Sequence, residues 1–178
     1  MNTLEMTSAA PPVGVIGAEG LVDSRIGKYL AFHLRNEEFG IQVLKVREII
    51  GVQDITAVPK TPAYMKGVIN LRGKVIPVID LRMKFGLEEI PYNQRTCIIV
   101  VQVAGDNGPT LMGIVVDGVS EVLTINAGDV EDTPDFGSGA QTPYILGLAK
   151  MKDRVKILLD IDAVLSRHDI ESLHAIAQ

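Results

Sequence analysis

The sequence predicts an all-β protein with a helix at its C-terminal end, and three observations support this. Short apolar runs of strand length follow one another along the chain, separated by turn signals such as Arg72-Gly73-Lys74. The core-forming residues are mostly Val, Ile and Leu, since the chain has four Tyr, four Phe and no Trp. Segments of the first half also recur in the second half. Many short strands with tight turns are typical of small barrels or sandwiches.

The first two strands are predicted from the alternation of apolar and polar residues. Leu30, Phe32 and Leu34 follow the strand period of two, and a turn at 36–38 leads into a second run at 39–43. Pro77 removes a ladder donor, so its strand is expected at an edge or a bulge. Further strand-like runs lie at 67–71, 75–79, 96–103, 110–116, 121–125, 144–151 and 154–159.

Only the chain from Asp160 onward has a helical pattern. Val164, Leu165, Leu173 and Ile176 are apolar among polar neighbours, and an Asp near the start is a candidate N-cap.

An internal repeat predicts two similar β units. Residues 40–50 align without a gap on residues 113–123, and residues 67–81 align on residues 147–161. A unit of about 60 residues buries only about 60% of its chain surface, so its own core would be marginal. The two units should therefore pack together, and the groove between them is the natural binding surface.

The chain divides into three parts by composition. Residues 1–28 are rich in Ala, Pro, Gly and Ser and are expected to form a flexible tail. Residues 29–166 form the folded domain of two units, with a boundary near 90–95 and with strands open to exchange between the units. Residues 167–178 are expected to form a helical end.

Composition excludes several classes of function. The net charge is −5 and the isoelectric point is about 5.2, so the chain has no basic field for nucleic acid or anionic lipid. No apolar stretch reaches the ~18 residues that a membrane span needs, and the first residues do not resemble a secretory signal. A single cysteine, Cys97, fits a reducing compartment. We therefore expect a cytoplasmic protein with no nucleic-acid partner and no membrane insertion.

The sequence offers no catalytic constellation. Phosphate-loop, dinucleotide-binding, nucleophile-elbow and zinc-protease motifs do not occur. His33, His168 and His174 are too scattered to form a site, and Cys97 is most simply a strand residue. We predict no enzyme activity, no cofactor and no metal. The competing hypothesis is a small metal-binding hydrolase that uses Glu131, Asp132 and Asp135.

Two charged residues suit a binding surface. Arg72 lies at a predicted hairpin tip before Gly73, which turns the backbone easily and lets the guanidinium project outward. Glu48 lies on a segment with one apolar and one anionic face. From the residues alone, a solvated turn charge and an ordinary amphipathic edge explain these features equally well.

Residues 61–86, TPAYMKGVINLRGKVIPVIDLRMKFG, closely resemble the signature of the CheW-like chemotaxis coupling proteins. Three further blocks agree in order: FGIQVLKVREI at 39–49, GIVVDGVSEVL at 113–123, and ILGL at 145–148 with ILLDI at 157–161. The likeness covers about residues 29–165. It implies a CheW-like fold of two packed SH3-like five-stranded β-barrels around a shared core.

The resemblance also implies a function. Proteins of this family perform no chemistry and link the cytoplasmic hairpin tip of chemoreceptors to the regulatory domain of the histidine kinase CheA in signalling arrays. An adaptor of a related chemosensory pathway, controlling pili or development, is the alternative. Matching family positions imply a receptor-facing groove formed or supported by Val46, Glu48, Gly67, Asn70, Arg72 and Gly73, with Val119 approaching from the second unit.

Overall fold

The computed structural model describes residues 23–105, 107–134 and 143–165, and these form a mostly β structure. The strands are β1 (Gly27–Leu34), β2 (Glu37–Gln42), β3 (Val46–Gly51), β4 (Met65–Leu71), β5 (Lys74–Asp80), β6 (Cys97–Gly105), β7 (Gly108–Val116), β8 (Gly118–Ile125), β9 (Val130–Glu131), β10 (Ile145–Met151) and β11 (Arg154–Leu159). Two short helices, α1 (Leu81–Lys84) and α2 (Ile161–Val164), each follow a hairpin.

The strands form two sheets, and each sheet takes strands from both halves of the chain. One sheet has the order β8-β1-β2-β11-β10-β9, and the other has the order β3-β6-β7-β5-β4. Each contains one parallel pair, β2 with β11 and β5 with β7. Strands β1 and β2 therefore pair with the last strands of the chain rather than with β3, which follows them directly.

Both sheets close into barrels in the same way. The two-residue strand β9 follows β8 after one 3-10 turn and pairs with β10 at the far edge of its sheet. In the other sheet, the chain after β3 reaches β4, where Thr56 and Val68 form an isolated bridge. The prediction of two packed β-barrels is confirmed. The boundary near residues 90–95 stays a prediction.

Three apolar clusters fill the part of the molecule that the structure describes. One lies inside each barrel. Tyr29 and Leu158 belong to the cluster inside the β8-β1-β2-β11-β10-β9 barrel, which we call the first barrel. Ile69 and Val100 belong to the cluster inside the β3-β6-β7-β5-β4 barrel, which we call the second barrel. Because strand side chains alternate between faces, the opposite faces of both sheets are free to meet between the barrels. The third and largest cluster forms there, and we call it the shared core. It includes Phe32, Leu34, Ile41, Ile79, Ile99, Ile114 and Val116.

A buried ion-pair network fastens the second barrel to the first. Arg82 of α1 is fully buried; its Nη2 lies 2.7 Å from Asp80 and its Nη1 lies 2.8 Å from Asp117 at the β7–β8 turn. Asp117 in turn accepts a 2.6 Å hydrogen bond from the backbone N–H of Arg35, in the β1–β2 turn. The network thus joins an end of each barrel through the fully buried Arg82–Asp80 pair and the partly buried Asp117.

The structure corrects two details of the sequence prediction. The segment 46–51 is strand β3, although its sequence does not show a regular alternation. β5 lies between β4 and β7, so this strand is not at an edge. The alternative that was expected, a bulge, lies next to Pro77, because the β4–β5 register shifts between Met65 and Gly67, opposite Val78. Pairing of β5 with β7 begins only at Val78, so the missing N–H of Pro77 lies just outside the parallel ladder.

The predicted helix start at Asp160 is confirmed, because the Asp160 carboxylate accepts backbone hydrogen bonds from Asp162 and Ala163 at the start of α2. The predicted helical end at 167–178 and most of the predicted tail lie outside the described residues.

Removing the buried guanidinium should strongly destabilise the fold. In Arg82→Leu, the Asp80 carboxylate stays buried without its cation, which should lower the free energy of unfolding by about 3–5 kcal/mol. Urea denaturation measures this change. The exposed pair Lys150–Glu131 offers the control, since Lys150→Met should cost less than about 1 kcal/mol. Equal losses in the two variants would contradict a stabilising role for the network.

Glu38 should make stability depend on pH in the acid range. Its half-buried carboxylate lies against the buried Lys156 ammonium, whose hydrogen bond holds the pKa of Glu38 below its ordinary value of 4.5. A lowered folded-state pKa gives a contribution that is present above pH 4.5 and is lost as the pH falls through the folded-state pKa. The stability difference between wild type and Glu38→Gln should therefore shrink below pH 4.5 in urea titrations. Glu121→Gln, at an exposed strand position, is the matched control, and a constant difference for Glu38→Gln would refute the assignment.

Candidate functional site

The tip of the β4–β5 hairpin is a strained two-residue turn. Leu71 pairs with Lys74, and the intervening Arg72 and Gly73 have φ values of 52° and 86°. Positive φ at both central positions is the type I′ arrangement that suits the twist of a hairpin, but it is unfavourable for an arginine. The Asn70 side chain holds the turn, because its Oδ1 accepts a 2.8 Å hydrogen bond from the backbone N–H of Gly73. The turn projects Arg72 into solvent.

Arg72 forms a two-point ion pair with Glu48 of β3. Nη1 of Arg72 donates to Oε2 of Glu48 at 2.9 Å, and Nη2 donates to Oε1. The pairing lowers the pKa of the Glu48 carboxyl and raises the pKa of the Arg72 guanidinium. The Arg72 side chain is 69% exposed and Glu48 is 31% exposed. The pair is therefore fixed in geometry yet accessible to a partner.

Gly67 allows the close backbone packing that holds the β4–β5 hairpin beside β3. It has a φ of 139°, and a Cβ added there would lie 1.9 Å from the carbonyl oxygen of Thr56. Next to it, Thr56 and Val68 exchange backbone hydrogen bonds of 2.8 and 2.9 Å. Only glycine leaves room for the chain after β3 to reach β4 and close the barrel. Gly67 thus positions the site and is itself buried.

The structure places Val46 and Val119 on different barrels. Val46 starts β3 opposite Val101, whereas Val119 lies on β8 opposite Phe32. Both valines are partly buried against the shared core. They are 73 residues apart, which is the offset of the internal repeat, so they occupy equivalent positions in the two units. The structure therefore brings Glu48, Asn70, Arg72 and Gly73 together, and we call these four the Arg72 cluster.

The Arg72 cluster borders an open groove of about 410 Å³ at the mouth of the second barrel. Apolar side chains of Leu71, Val100 and Leu111, which were not predicted as site residues, line it. Arg47, whose Nε donates to the Gln102 side chain at 2.7 Å, and Lys74 lie at the same groove. Arg47 and Lys74 are adjacent in sequence to Glu48 and Gly73, which were predicted as site residues. Their convergence depends on the strand order, which the local sequence does not reveal.

The residues considered for catalysis or metal binding have other environments in the structure: Cys97 is partly buried, and Glu131 and Asp132 each pair with a cation. Burial raises the pKa of the Cys97 thiol, which disfavours the reactive thiolate. Glu131 pairs with Lys150 at 2.5 Å, and Asp132 pairs with Arg25 at 2.9 Å, so each carboxylate faces a separate cation. Within the described residues, no group of three or more potential ligands comes together. Asp135, His168 and His174 lie outside these residues.

None of the helices in the described part of the chain has the length and apolar character that crossing a bilayer requires.

Comparisons with known proteins agree with the fold. A family model described as the CheW-like domain matches residues 28–169. The chemotaxis protein CheW of Klebsiella aerogenes is 39% identical over 166 residues, covering 93% of this chain and 98% of that protein. The chemotaxis protein CheW of Bacillus subtilis is 32% identical, covering 82% of this chain and 90% of that protein.

A solved structure shows the same fold. The scaffolding protein TtCheW from Thermoanaerobacter tengcongensis superimposes with a TM-score of 0.70 at 32% identity, covering 81% of this chain and 95% of that chain. Together with the family model and the relatives, this likeness shows that the chain belongs to the CheW-like family of chemotaxis coupling proteins.

Proposed function

We propose that this chemotaxis adaptor is non-enzymatic and cytoplasmic, and that it couples the cytoplasmic hairpin tips of chemoreceptors to the regulatory domain of the histidine kinase CheA. The observation that carries the proposal is the Arg72 cluster: an exposed, two-point ion pair fixed on a strained turn beside an apolar groove. The family resemblance supports its assignment to the receptor.

The geometry suits recognition without chemistry. The groove and its charged border are built on closed barrels, so binding orders few side chains and loses little entropy. Arginine presents a planar set of donors to carboxylates and carbonyls and is enriched at binding hot spots. The apolar lining supplies buried area, while the charges select the partner and its orientation.

The adaptor transmits a signal only through differential contacts. A receptor changes kinase activity through this protein if its signalling states bind the adaptor with different affinities, since equal affinities shift no equilibrium. A rigid adaptor converts this difference in affinity into a change in the relative position of its partners, because its barrels do not deform.

Charge reversal at the hairpin tip should weaken receptor binding. In Arg72→Glu, the new carboxylate repels Glu48 and removes the donors offered to the receptor, so affinity for a chemoreceptor cytoplasmic fragment should fall roughly thirtyfold or more. Thermal stability should change little, since the side chain is exposed. Isothermal titration measures the affinities. Lys152→Glu is the matched control, because Lys152 occupies the equivalent turn of the other barrel with a φ of 57°.

A charge swap separates contact with the receptor from a structural role. The double variant Glu48→Arg/Arg72→Glu restores an ion pair between β3 and the hairpin with its polarity reversed. If Arg72 contacts the receptor, the double variant should bind as weakly as Arg72→Glu. Recovery of wild-type affinity would show that the pair acts only by holding the hairpin, and unchanged binding in the single variant would remove Arg72 from the contact.

A further inference from the structure

The internal repeat continues in the structure up to Leu165, where the description ends. Asp80 and Asp160, which are 80 residues apart, cap α1 and α2 in the same way, since each carboxylate accepts from the backbone N–H groups of the second and third helical residues. The backbone N–H groups of the same two aspartates donate to the carbonyls of Tyr64 and Tyr144, at the same offset of 80. The chain after α1 and the chain after α2 therefore leave from equivalent places.

The chain after α1 shields an ion pair. Residues 87–96 run past the Arg82–Asp117 pair, where Nη1 of Arg82 donates to the backbone carbonyl of Ile90 at 3.2 Å. The guanidinium carbon of Arg82 also lies 5.3 Å from the ring centroid of Tyr92. The side chain of Arg82 is 0% exposed, and that of Asp117 is 13% exposed. This segment thus separates a charged connection between the barrels from water.

The equivalent ion pair beside α2 is only partly shielded by the described residues. Asp162 is the equivalent of Arg82 at the offset of 80, and its Oδ2 lies 2.6 Å from Nζ of Lys45, in the 3-10 turn after β2. Each of these two side chains is 33% exposed. Leu44, which is the equivalent of Asp117 at the offset of 73, is 87% exposed. The described residues therefore leave this end of the first barrel open.

Leu44 borders an apolar groove at this end, which we call the Leu44 groove. The groove has a volume of about 290 Å³, and its lining includes Ile26, Tyr29 and Val43. Lys28 also lines it, and no described contact pairs the ammonium of this lysine with a carboxylate. The groove therefore suits a segment that carries apolar side chains and a carboxylate.

The chain after α2 carries such side chains. Residues 166–178 include Ile170, Leu173 and Ile176 at a spacing of three, which places them on one side of the helix that the sequence predicts there. Asp169 precedes Leu173 by four residues, so its carboxylate lies on the same side of that helix and suits the groove's lysine.

The repeat also indicates where this segment lies. Ile170 follows Ile90 by 80 residues, and Ile90 contacts the shielded ion pair beside α1. Ile170 is therefore expected over the Lys45–Asp162 pair. The 13 residues after Leu165 span about 20 Å as a helix and about 43 Å when fully extended. Both lengths exceed the reach of one lysine side chain, which already connects the turn beside the groove to α2.

We propose that residues 166–178 fold back over the Leu44 groove. Their three apolar side chains pack against Leu44 and Ile26, and the segment shields the Lys45–Asp162 pair as residues 87–96 shield the equivalent pair. A partner protein that uses this end of the first barrel then has to displace the segment. The inference is independent of the proposed function, since it concerns a contact within one chain.

Disulfide trapping tests this contact in the full chain, with Cys97→Ser removing the native thiol. Leu44→Cys is combined in turn with Ile170→Cys, Leu173→Cys and Ile176→Cys. A disulfide requires Cα atoms about 4.4–6.8 Å apart, so at least one of these pairs should close within one chain under mild oxidation. Mass spectrometry identifies the bond, and circular dichroism checks that each variant is folded.

Val155→Cys with the same three partners is the matched control. Val155 is 52% exposed at the start of β11, whereas α2 follows the end of that strand, so the control pairs should stay reduced. Equal closure with Leu44→Cys and with Val155→Cys would overturn the inference, and so would no closure of any Leu44→Cys pair. Disulfides that join two chains would assign the segment to a second copy and would also overturn it.

Thiol labelling in the Cys97→Ser background gives a readout that does not depend on disulfide geometry. The thiol of Leu44→Cys should react with a maleimide about tenfold faster when Leu173→Asp is added, since the loss of one buried leucine contact shifts an equilibrium by about that factor. The thiol of Val155→Cys should react at the same rate with and without Leu173→Asp. An unchanged rate at position 44 would overturn the inference and leave the groove to another occupant, such as the N-terminal residues or a partner protein.

Discussion

The structure depends on one constraint: neither barrel closes with strands from only one half of the chain. Strands β1 and β2 complete the barrel formed by β8 to β11, while β6 and β7 complete the barrel formed by β3 to β5. The outer faces of these exchanged strands build the shared core. Separating the barrels would therefore expose the largest apolar cluster and break the Arg82–Asp117 connection. The molecule acts as one rigid body because its two units complete each other.

The candidate site takes its precision from this closure. Gly67 lets the chain after β3 reach β4, which brings Glu48 within reach of the hairpin that carries Arg72. Asn70 fixes the turn in a conformation that arginine does not favour. The strain and the missing side chain at Gly67 cost stability, and they are tolerated where a charged pair must be held at a barrel mouth. A site built this way needs little reorganisation when a partner arrives.

The sequence predicted the parts of the structure that depend on local pattern and repetition. Alternating apolar residues located most strands, the repeat indicated two equivalent units, and a long ungapped resemblance identified the family. Strand β3 was missed because the polar Glu48 lies on its partly buried face and the apolar Ile49 lies on its exposed face, so the sequence does not alternate although the burial does. The edge position considered for the strand of Pro77 was wrong because strand order is a long-range property. For the same reason Arg47 and Lys74 did not stand out, since only the folded sheet brings them to Arg72.

The central claim is that one copy of this protein holds a receptor and the kinase at the same time. Sedimentation velocity of the full chain, mixed with a chemoreceptor cytoplasmic fragment and the regulatory domain of CheA, tests it directly. The rigid pair of barrels predicts a complex that contains all three proteins and that sediments faster than either binary complex. Binary complexes alone, with each partner displacing the other, would contradict the claim.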